Sequence, residues 1–225
     1  MTGRHEELIQ AIAGNDAFRV RAILQEDPDL VVARDPEGRT PILLCLYFGH
    51  EDLARLVMEE APAPDLFEVV AMGELGMVPE LLEKTPGGAN AVSPDGFGVL
   101  GLAVYFGRFE VAQHLLGAGA DPDTPSANDF RVRPIHSAAA HRSHETSLAL
   151  GRLLLDSGAD PNVAQAGGWS PLHQASAHGR KEMVDLLVAA GARLDAKSDD
   201  GRTPWEMAEA KGHSELEALL KVPGA

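Results

Sequence analysis

The chain has 225 residues, of which 44% are hydrophobic, so it is long enough to bury one or two ordinary cores. Its formal net charge is −15, and this argues against proteins that bind a nucleic-acid backbone or an anionic membrane surface. The single cysteine excludes an intrachain disulfide framework. Because the N-terminus has no apolar leader and no run approaches 18 apolar residues, we expect a cytoplasmic protein.

Short helices that end at glycines form a pattern that repeats along the chain. It is clearest at 168–200, where Ser170 is suited to cap a helix that begins at Pro171. Gly179 can end that helix in a left-handed conformation. A second helix follows, with apolar residues at helical spacing, and ends at Gly191. The stretch therefore predicts one helix–turn–helix unit.

The glycine that ends the first helix of such a unit recurs along the chain, and it serves as the marker of a period. The marker glycines are Gly14, Gly49, Gly73, Gly107, Gly179 and Gly212, with Arg142 in that place in the fifth unit. Seven units follow, with approximate bounds 1–33, 34–62, 63–92, 93–125, 126–164, 165–197 and 198–225. Because no linker divides them, we expect a single domain over 1–225.

In chain order, units one, three and five depart from the pattern. Unit one is polar and lacks a Thr-Pro opening, as expected of an end repeat with no neighbour on one side. Unit three lacks the turn segment, so we expect no hairpin at 60–66. We also expect a gap there that sets the turn of unit two apart from those of units four to six. Unit five carries about four extra residues at 141–147, which we expect to form a loop.

Most units resemble the ankyrin repeat, whose pattern is G-x-T-P-L-H-x-A-x-x-G followed by L-L-x-x-G-A. The chain reads GWSPLHQASAHG at 168–179, GRTP at 201–204 and LLGAGAD at 115–121. The resemblance covers essentially the whole chain and is weaker in units one and three. It implies an all-α solenoid of stacked helix–turn–helix units with β-turn or hairpin loops. It also implies that His136 and His173 bond to the backbone of neighbouring turns.

By the same resemblance, a partner would dock on the concave surface, which is built from turn tips and the residues just before each marker glycine. Seven of the eleven aromatic residues fall at such positions, and aromatic and Arg side chains are enriched in protein interfaces. The alternative is that these rings pack against the next unit. The candidate partner-binding residues are Arg39, Tyr47, Phe48, Phe97, Tyr105, Phe106, Phe130, Arg131, His141, Trp169, His178 and Arg202.

We expect no catalytic residue, no cofactor and no metal. The glycines at 96–101 match a dinucleotide-binding pattern, but no strand-like run precedes them. His136, His141 and His144 form the one local cluster of ligand types, yet their spacing fits no standard zinc template. Residues 51–84 hold nine carboxylates and two basic side chains, which form either a solvated face or a landing patch for a basic partner.

The sequence thus predicts a protein that is not an enzyme and that binds a protein partner, rather than nucleic acid or a membrane. We expect a monomer. Three alternatives remain open: a regulatory or inhibitory subunit of an enzyme, a self-associating scaffold, and a metal-binding protein that uses His136, His141 and His144.

Overall fold

The structure is a computed structural model, and it describes residues 3–61 and 63–221. Within these ranges the chain forms fourteen α-helices and no strand beyond one isolated antiparallel bridge, between Val92 and Gly98. The helices are α1 Gly3–Ala13, α2 Ala17–Glu26, α3 Pro41–Tyr47, α4 Glu51–Glu60, α5 Leu66–Met72, α6 Val78–Lys84, α7 Val99–Tyr105, α8 Phe109–Gly117, α9 Pro134–Ala140, α10 His144–Asp156, α11 Pro171–Ala177, α12 Lys181–Ala189, α13 Pro204–Lys211 and α14 Glu217–Leu220. The predicted all-α architecture is confirmed.

Local sequence explains where the helices begin and end. Thr40, Ser170 and Thr203 each cap a helix by accepting a backbone N–H of its first turn, and a proline follows each of them. The predicted left-handed conformation is found at Gly49, Gly73, Gly107, Gly179, Gly191 and Gly212. In unit one α1 ends directly before Gly14, as predicted, but Gly14 itself is not left-handed. The left-handed residue there is Asn15, with φ of 53°, a residue type whose short polar side chain tolerates that conformation.

The helices pack in two rows. The odd-numbered helices stack on one another from α1 to α13 and form the inner row, while α2 packs on α4, and α8, α10 and α12 pack in sequence in the outer row. Two hydrophobic clusters fill the space between the rows, one over units one to three and the other over units three to seven. Tyr47, Met58 and Phe106 pack against both clusters. None of the described helices has the length and apolarity that a membrane crossing requires.

Five turns stand along the edge of the stack, at residues 35–39, 93–97, 126–132, 165–169 and 198–202. Each is closed by a backbone hydrogen bond between its first and last residues, for example from Ser93 N–H to Phe97 O at 2.8 Å. Neighbouring turns in units four to seven are joined at their tips by one backbone hydrogen bond per pair. The donors are the N–H groups of Ala127, Ala166 and Asp199, and the acceptors are Gly96 O, Phe130 O and Gly167 O.

Unit three has no turn of this kind in its described residues. Helix α4 ends at Glu60 and α5 begins at Leu66, a connection too short for a hairpin, although Pro62 within it lies outside the described residues. The expected gap, however, is wrong. A Cβ atom on Gly38 in the turn of unit two would lie 2.8 Å from the backbone carbon of Pro94 in the turn of unit four. The two turns therefore meet across unit three.

The expected loop in unit five is also wrong. Helix α9 ends at Ala140, and α10 already begins at His144, after Ser143 caps it by accepting the Thr146 N–H. Helix α10 spans 13 residues, whereas its counterparts α8 and α12 span 9 each. The extra residues therefore lengthen the second helix by about one turn, because a capping serine and a helix-compatible run follow the short connection.

Candidate partner-binding groove

Four aromatic side chains from units two and four meet on the inner side of the stack. We call Tyr47, Phe97, Tyr105 and Phe106 the aromatic cluster. The Tyr47 ring centroid lies 5.2 Å from that of Phe106 and 5.7 Å from that of Tyr105, and the Tyr105 and Phe106 rings meet edge to face at 5.0 Å. Such tilted and edge-to-face arrangements are favourable for aromatic pairs. Along the sequence the whole of unit three separates Tyr47 from the other three residues, and the fold brings all four together.

The recess at unit three makes this meeting possible. Where units two and four carry Tyr47 and Tyr105, unit three carries Ala71, a small residue that is fully buried. The Tyr47 hydroxyl then reaches over it and donates a hydrogen bond to Asp95 Oδ2 at 3.0 Å. Arg108 Nε donates to the Ala71 carbonyl at 2.8 Å. Unit three is therefore covered by side chains of its two neighbours.

Below the aromatic cluster lies an open groove of about 550 Å³, which runs along the inner side from unit two to unit six. One wall is the aromatic cluster together with Phe48. The other wall belongs to units five and six and is more polar, with Ser137, His141, Arg142 and Gln174. An apolar wall that faces a few polar groups is the usual composition of a binding site.

The structure separates the twelve predicted partner-binding residues into two sets of equal size. Those that line the groove are Tyr47, Phe48, Phe97, Tyr105, Phe106 and His141. Those that do not line it are Arg39, Phe130, Arg131, Trp169, His178 and Arg202.

Several residues of the second set are engaged elsewhere. The Arg39 guanidinium lies 5.9 Å from the Tyr47 ring centroid and is paired with Asp35, so it supports the cluster from its edge. The Trp169 ring packs beside His173 at 6.4 Å. By contrast, the side chain of Phe130 is 68% exposed at the tip of its turn, where Arg131 has a left-handed φ of 49°.

Sequence reasoning identified His141 but missed the other three residues of the polar wall. Ser137 lies three residues before Ala140, and Gln174 lies three residues before Ala177. Both alanines are at predicted concave positions, so extending the predicted face by one helical turn toward the N-terminus would have identified Ser137 and Gln174. Arg142 was overlooked because it stands where other units have the marker glycine.

His136 and His173 do the structural work that the resemblance implied. In His173, Nδ1 accepts the Ser170 N–H at 3.1 Å, so Nε2 carries the proton and donates to Arg202 O at 3.0 Å. His136 makes the equivalent bonds, with Trp169 O as the acceptor at 3.0 Å. Burial lowers the pKa of His136 to about 4 and lowers that of His173 in the same direction. Each ring thus joins one turn to the next as a neutral group.

The structure does not assemble a metal site from His136, His141 and His144. His136 is buried with both ring nitrogens engaged, and His144 Nε2 lies 2.6 Å from Glu182 Oε2 at the surface. Over residues 3–61 and 63–221, no group of three or more His, Cys, Asp or Glu side chains is placed to hold a metal ion. Burial also raises the pKa of the Cys45 thiol to about 12, so it stays protonated and unreactive at neutral pH.

Most of the nine carboxylates at 51–84 are engaged in contacts within the fold. Glu51 meets Arg108 at 2.8 Å, Asp65 meets Arg34 at 2.9 Å, and Glu74 meets Arg55 at 3.4 Å. Glu68 is buried and accepts the Asp65 N–H, which completes the cap of α5. These contacts tie units two to four together, which favours the interpretation of this segment as an ordinary helix surface over a landing patch.

Comparison with known proteins agrees with the helix pairs and turns described above. A family model for ankyrin repeats, in three copies, matches residues 100–198 and 135–224, which together cover more than half of the chain. The chain belongs to the ankyrin-repeat family. Cyclin-dependent kinase 4 inhibitor B of Rattus norvegicus is 36% identical over 122 residues, which are 54% of this chain and 88% of that protein.

Two other ankyrin-repeat relatives extend this similarity. Cyclin-dependent kinase inhibitor 2A of Homo sapiens is 36% identical over 124 residues, or 55% of this chain and 75% of that protein. The probable 26S proteasome regulatory subunit p28 of Saccharomyces cerevisiae is 23% identical over 214 residues, or 95% of this chain and 82% of that protein. The chain is therefore a protein-interaction module of the ankyrin-repeat class, whose members are in general not enzymes.

Proposed function

We propose that this ankyrin-repeat domain binds its protein partner through the groove between the aromatic cluster and the polar wall of units five and six. The observation that carries the proposal is the wall formed by the aromatic cluster together with Phe48. Tyr105 is 46% exposed and Phe48 is 48% exposed, so two large rings face solvent beside a concave surface. Large rings of this kind dominate the energetics of protein interfaces because they bury much area at a small cost in conformational entropy.

The bound partner would be an enzyme or enzyme complex whose activity changes on binding. The support is the printed names of the relatives, which are inhibitors of a kinase and a regulatory subunit of the proteasome. The seven units would act as a single domain, since the inner helices stack without interruption from α1 to α13. We place the protein in the cytoplasm, because a single buried cysteine that forms no disulfide fits a reducing compartment.

The test removes the exposed rings without disturbing the core. The double variant Phe48→Ser with Tyr105→Ser should lose at least one specific partner by about tenfold or more in quantitative affinity purification from the native host. The control is Phe18→Ser in α2, because Phe18 is 87% exposed and does not line the groove. Circular dichroism checks that both variants fold. If the partner is an enzyme, its activity is then measured with and without the purified chain.

An unchanged set of partners in the folded double variant would refute the groove as the binding site. Light scattering provides a second check. If the wild-type chain forms a homo-oligomer that the double variant cannot form, the groove is a self-association surface instead.

A further inference from the structure

The polar wall of the groove has a positive local charge, although the chain as a whole carries −15. Glu51 is the one carboxylate among the lining residues, and it is already paired with Arg108 at 2.8 Å. The pKa of His141 is lowered, first by burial and then by the positive charges of Arg180, Arg108 and Arg142. Three guanidinium groups therefore lie close to His141, and Arg142 is the one of them that lines the groove.

Only one of these three guanidinium groups is without a partner in the part of the chain that the structure describes. Arg108 bonds to Ala71 O and Glu51, and Arg180 Nη2 bonds to the carbonyl oxygens of His141 and Arg142 at 2.9 Å each. The Arg142 side chain makes no such bond and is exposed in the groove wall. It is thus available for an anionic group of a ligand.

His141 adds a second donor next to Arg142. Its Nδ1 accepts the Ser143 N–H at 3.2 Å, which is shorter than the 3.4 Å from Nδ1 to Ser143 O, and in this tautomer the ring proton resides on Nε2. Among the described residues no acceptor bonds to that Nε2–H. A carboxylate is the group that best matches a guanidinium together with a neutral N–H donor, because both can donate to its oxygen atoms.

We propose that the groove binds an acidic segment of the partner protein, in which an Asp or Glu carboxylate meets Arg142 and His141. An aromatic or large aliphatic side chain close to that carboxylate packs against Tyr105 and Phe106. This inference rests on the proposed function, and it adds the chemistry of the partner. It also opposes what the net charge suggests, since a chain of −15 would attract basic partners by long-range forces.

A displayed library of random peptides of about twelve residues tests this directly. The library is selected against the full-length wild-type chain, Arg142→Gln and Arg152→Gln. Arg152 is the matched control because it is exposed on α10 and does not line the groove. The wild type and Arg152→Gln should enrich peptides that carry Asp or Glu close to an aromatic or aliphatic residue, and Arg142→Gln should lose the acidic preference.

The affinity of one enriched peptide and of its Glu→Gln or Asp→Asn version is then measured by fluorescence anisotropy. The wild type should prefer the acidic version by about tenfold, and this preference should disappear in Arg142→Gln. Enrichment of basic or uncharged peptides, or of none, would overturn the inference. Those outcomes leave the proposed function standing, since that fails only if Phe48→Ser with Tyr105→Ser retains its natural partners.

Discussion

Units two to four and units five to seven are built on one pattern, yet they are held together by different contacts. In units five to seven the turns are joined by backbone hydrogen bonds at their tips and by His136 and His173, which link each turn to the next. In units two, three and four the histidine position holds Leu43, Glu68 and Gly101 instead. There the turns of units two and four are joined by the Tyr47–Asp95 hydrogen bond and by direct packing of one turn against the other.

The contact between the turns of units two and four explains why the missing hairpin leaves no gap. Pro94 stands at the position of the tip donors Ala127 and Asp199, but proline has no N–H to donate. Gly38 O is satisfied by Arg34 Nη1 at 2.9 Å instead, and the two turns meet by close packing. An ankyrin stack can therefore skip a turn when the neighbouring turns fit directly against each other.

The largest effect should come from blocking that close contact. Gly38 has φ of 86°, and a Cβ there would lie 2.8 Å from the Pro94 backbone. Gly201 has a similar φ of 82° but open space around it. Gly201→Ala should therefore lower the free energy of unfolding by about 1 kcal/mol through backbone strain alone. Gly38→Ala should cost about 2 kcal/mol more, because rigid backbone must move. Urea denaturation measures both, and equal costs would show that the two turns do not touch.

The second-largest effect should come from lowering the pH, which should destabilise units five and six more than units two to four. Because the pKa of His136 falls from 6.5 in the unfolded chain to about 4 in the fold, its contribution to stability is complete above about pH 6.5. As the pH falls to 5 the unfolded state gains protons and about 2 kcal/mol is lost. His173 acts in the same direction. In unit three, burial raises the pKa of Glu68, so acid favours the folded state there.

Hydrogen exchange measured by mass spectrometry at pH 7.5 and pH 5 resolves this effect by unit. After correction for the intrinsic pH dependence of exchange, protection should fall first in units five and six. A uniform loss, or an earlier loss in units two to four, would contradict the role assigned to the two histidines.

The smallest effect concerns the bond that crosses unit three. Tyr47→Phe removes the hydrogen bond to Asp95 Oδ2 and should lower the free energy of unfolding by about 1 kcal/mol. Tyr105→Phe is the matched control, since the Tyr105 hydroxyl has no hydrogen-bond partner within the described residues, and it should change stability little. Both values come from urea denaturation, and equal effects would mean that the Tyr47 bond does not stabilise the stack.

Much of the fold could be predicted because its signals are local. Ser170, Pro171 and Gly179 determine where a helix begins and ends by their own backbone and side-chain preferences, and the period of these signals determines the repeat. Even the bonding of His136 and His173 to adjacent turns followed from their place in the repeat. In unit one the same reasoning missed by one residue, because Asn15 can adopt the conformation that Gly14 was expected to adopt.

The groove could be predicted only in part, because it depends on distances between units. The sequence placed aromatic residues on the concave side, but not Tyr47 against Tyr105 and Phe106, which requires a recessed unit three. Arg142 was not recognised as a groove residue, because it stands where other units have the marker glycine, and whether its guanidinium is paired depends on which groups surround it.

The sequence by itself determined that this protein is a stack of ankyrin-type helix pairs, because caps, left-handed glycines and apolar periodicity act within a few residues of one another. Only the tertiary structure decided how the stack closes where a turn is missing. The contact between Gly38 and Pro94 and the meeting of Tyr47 with Phe106 join residues more than fifty positions apart. Such contacts result from the packing of units two, three and four together, which no local preference encodes.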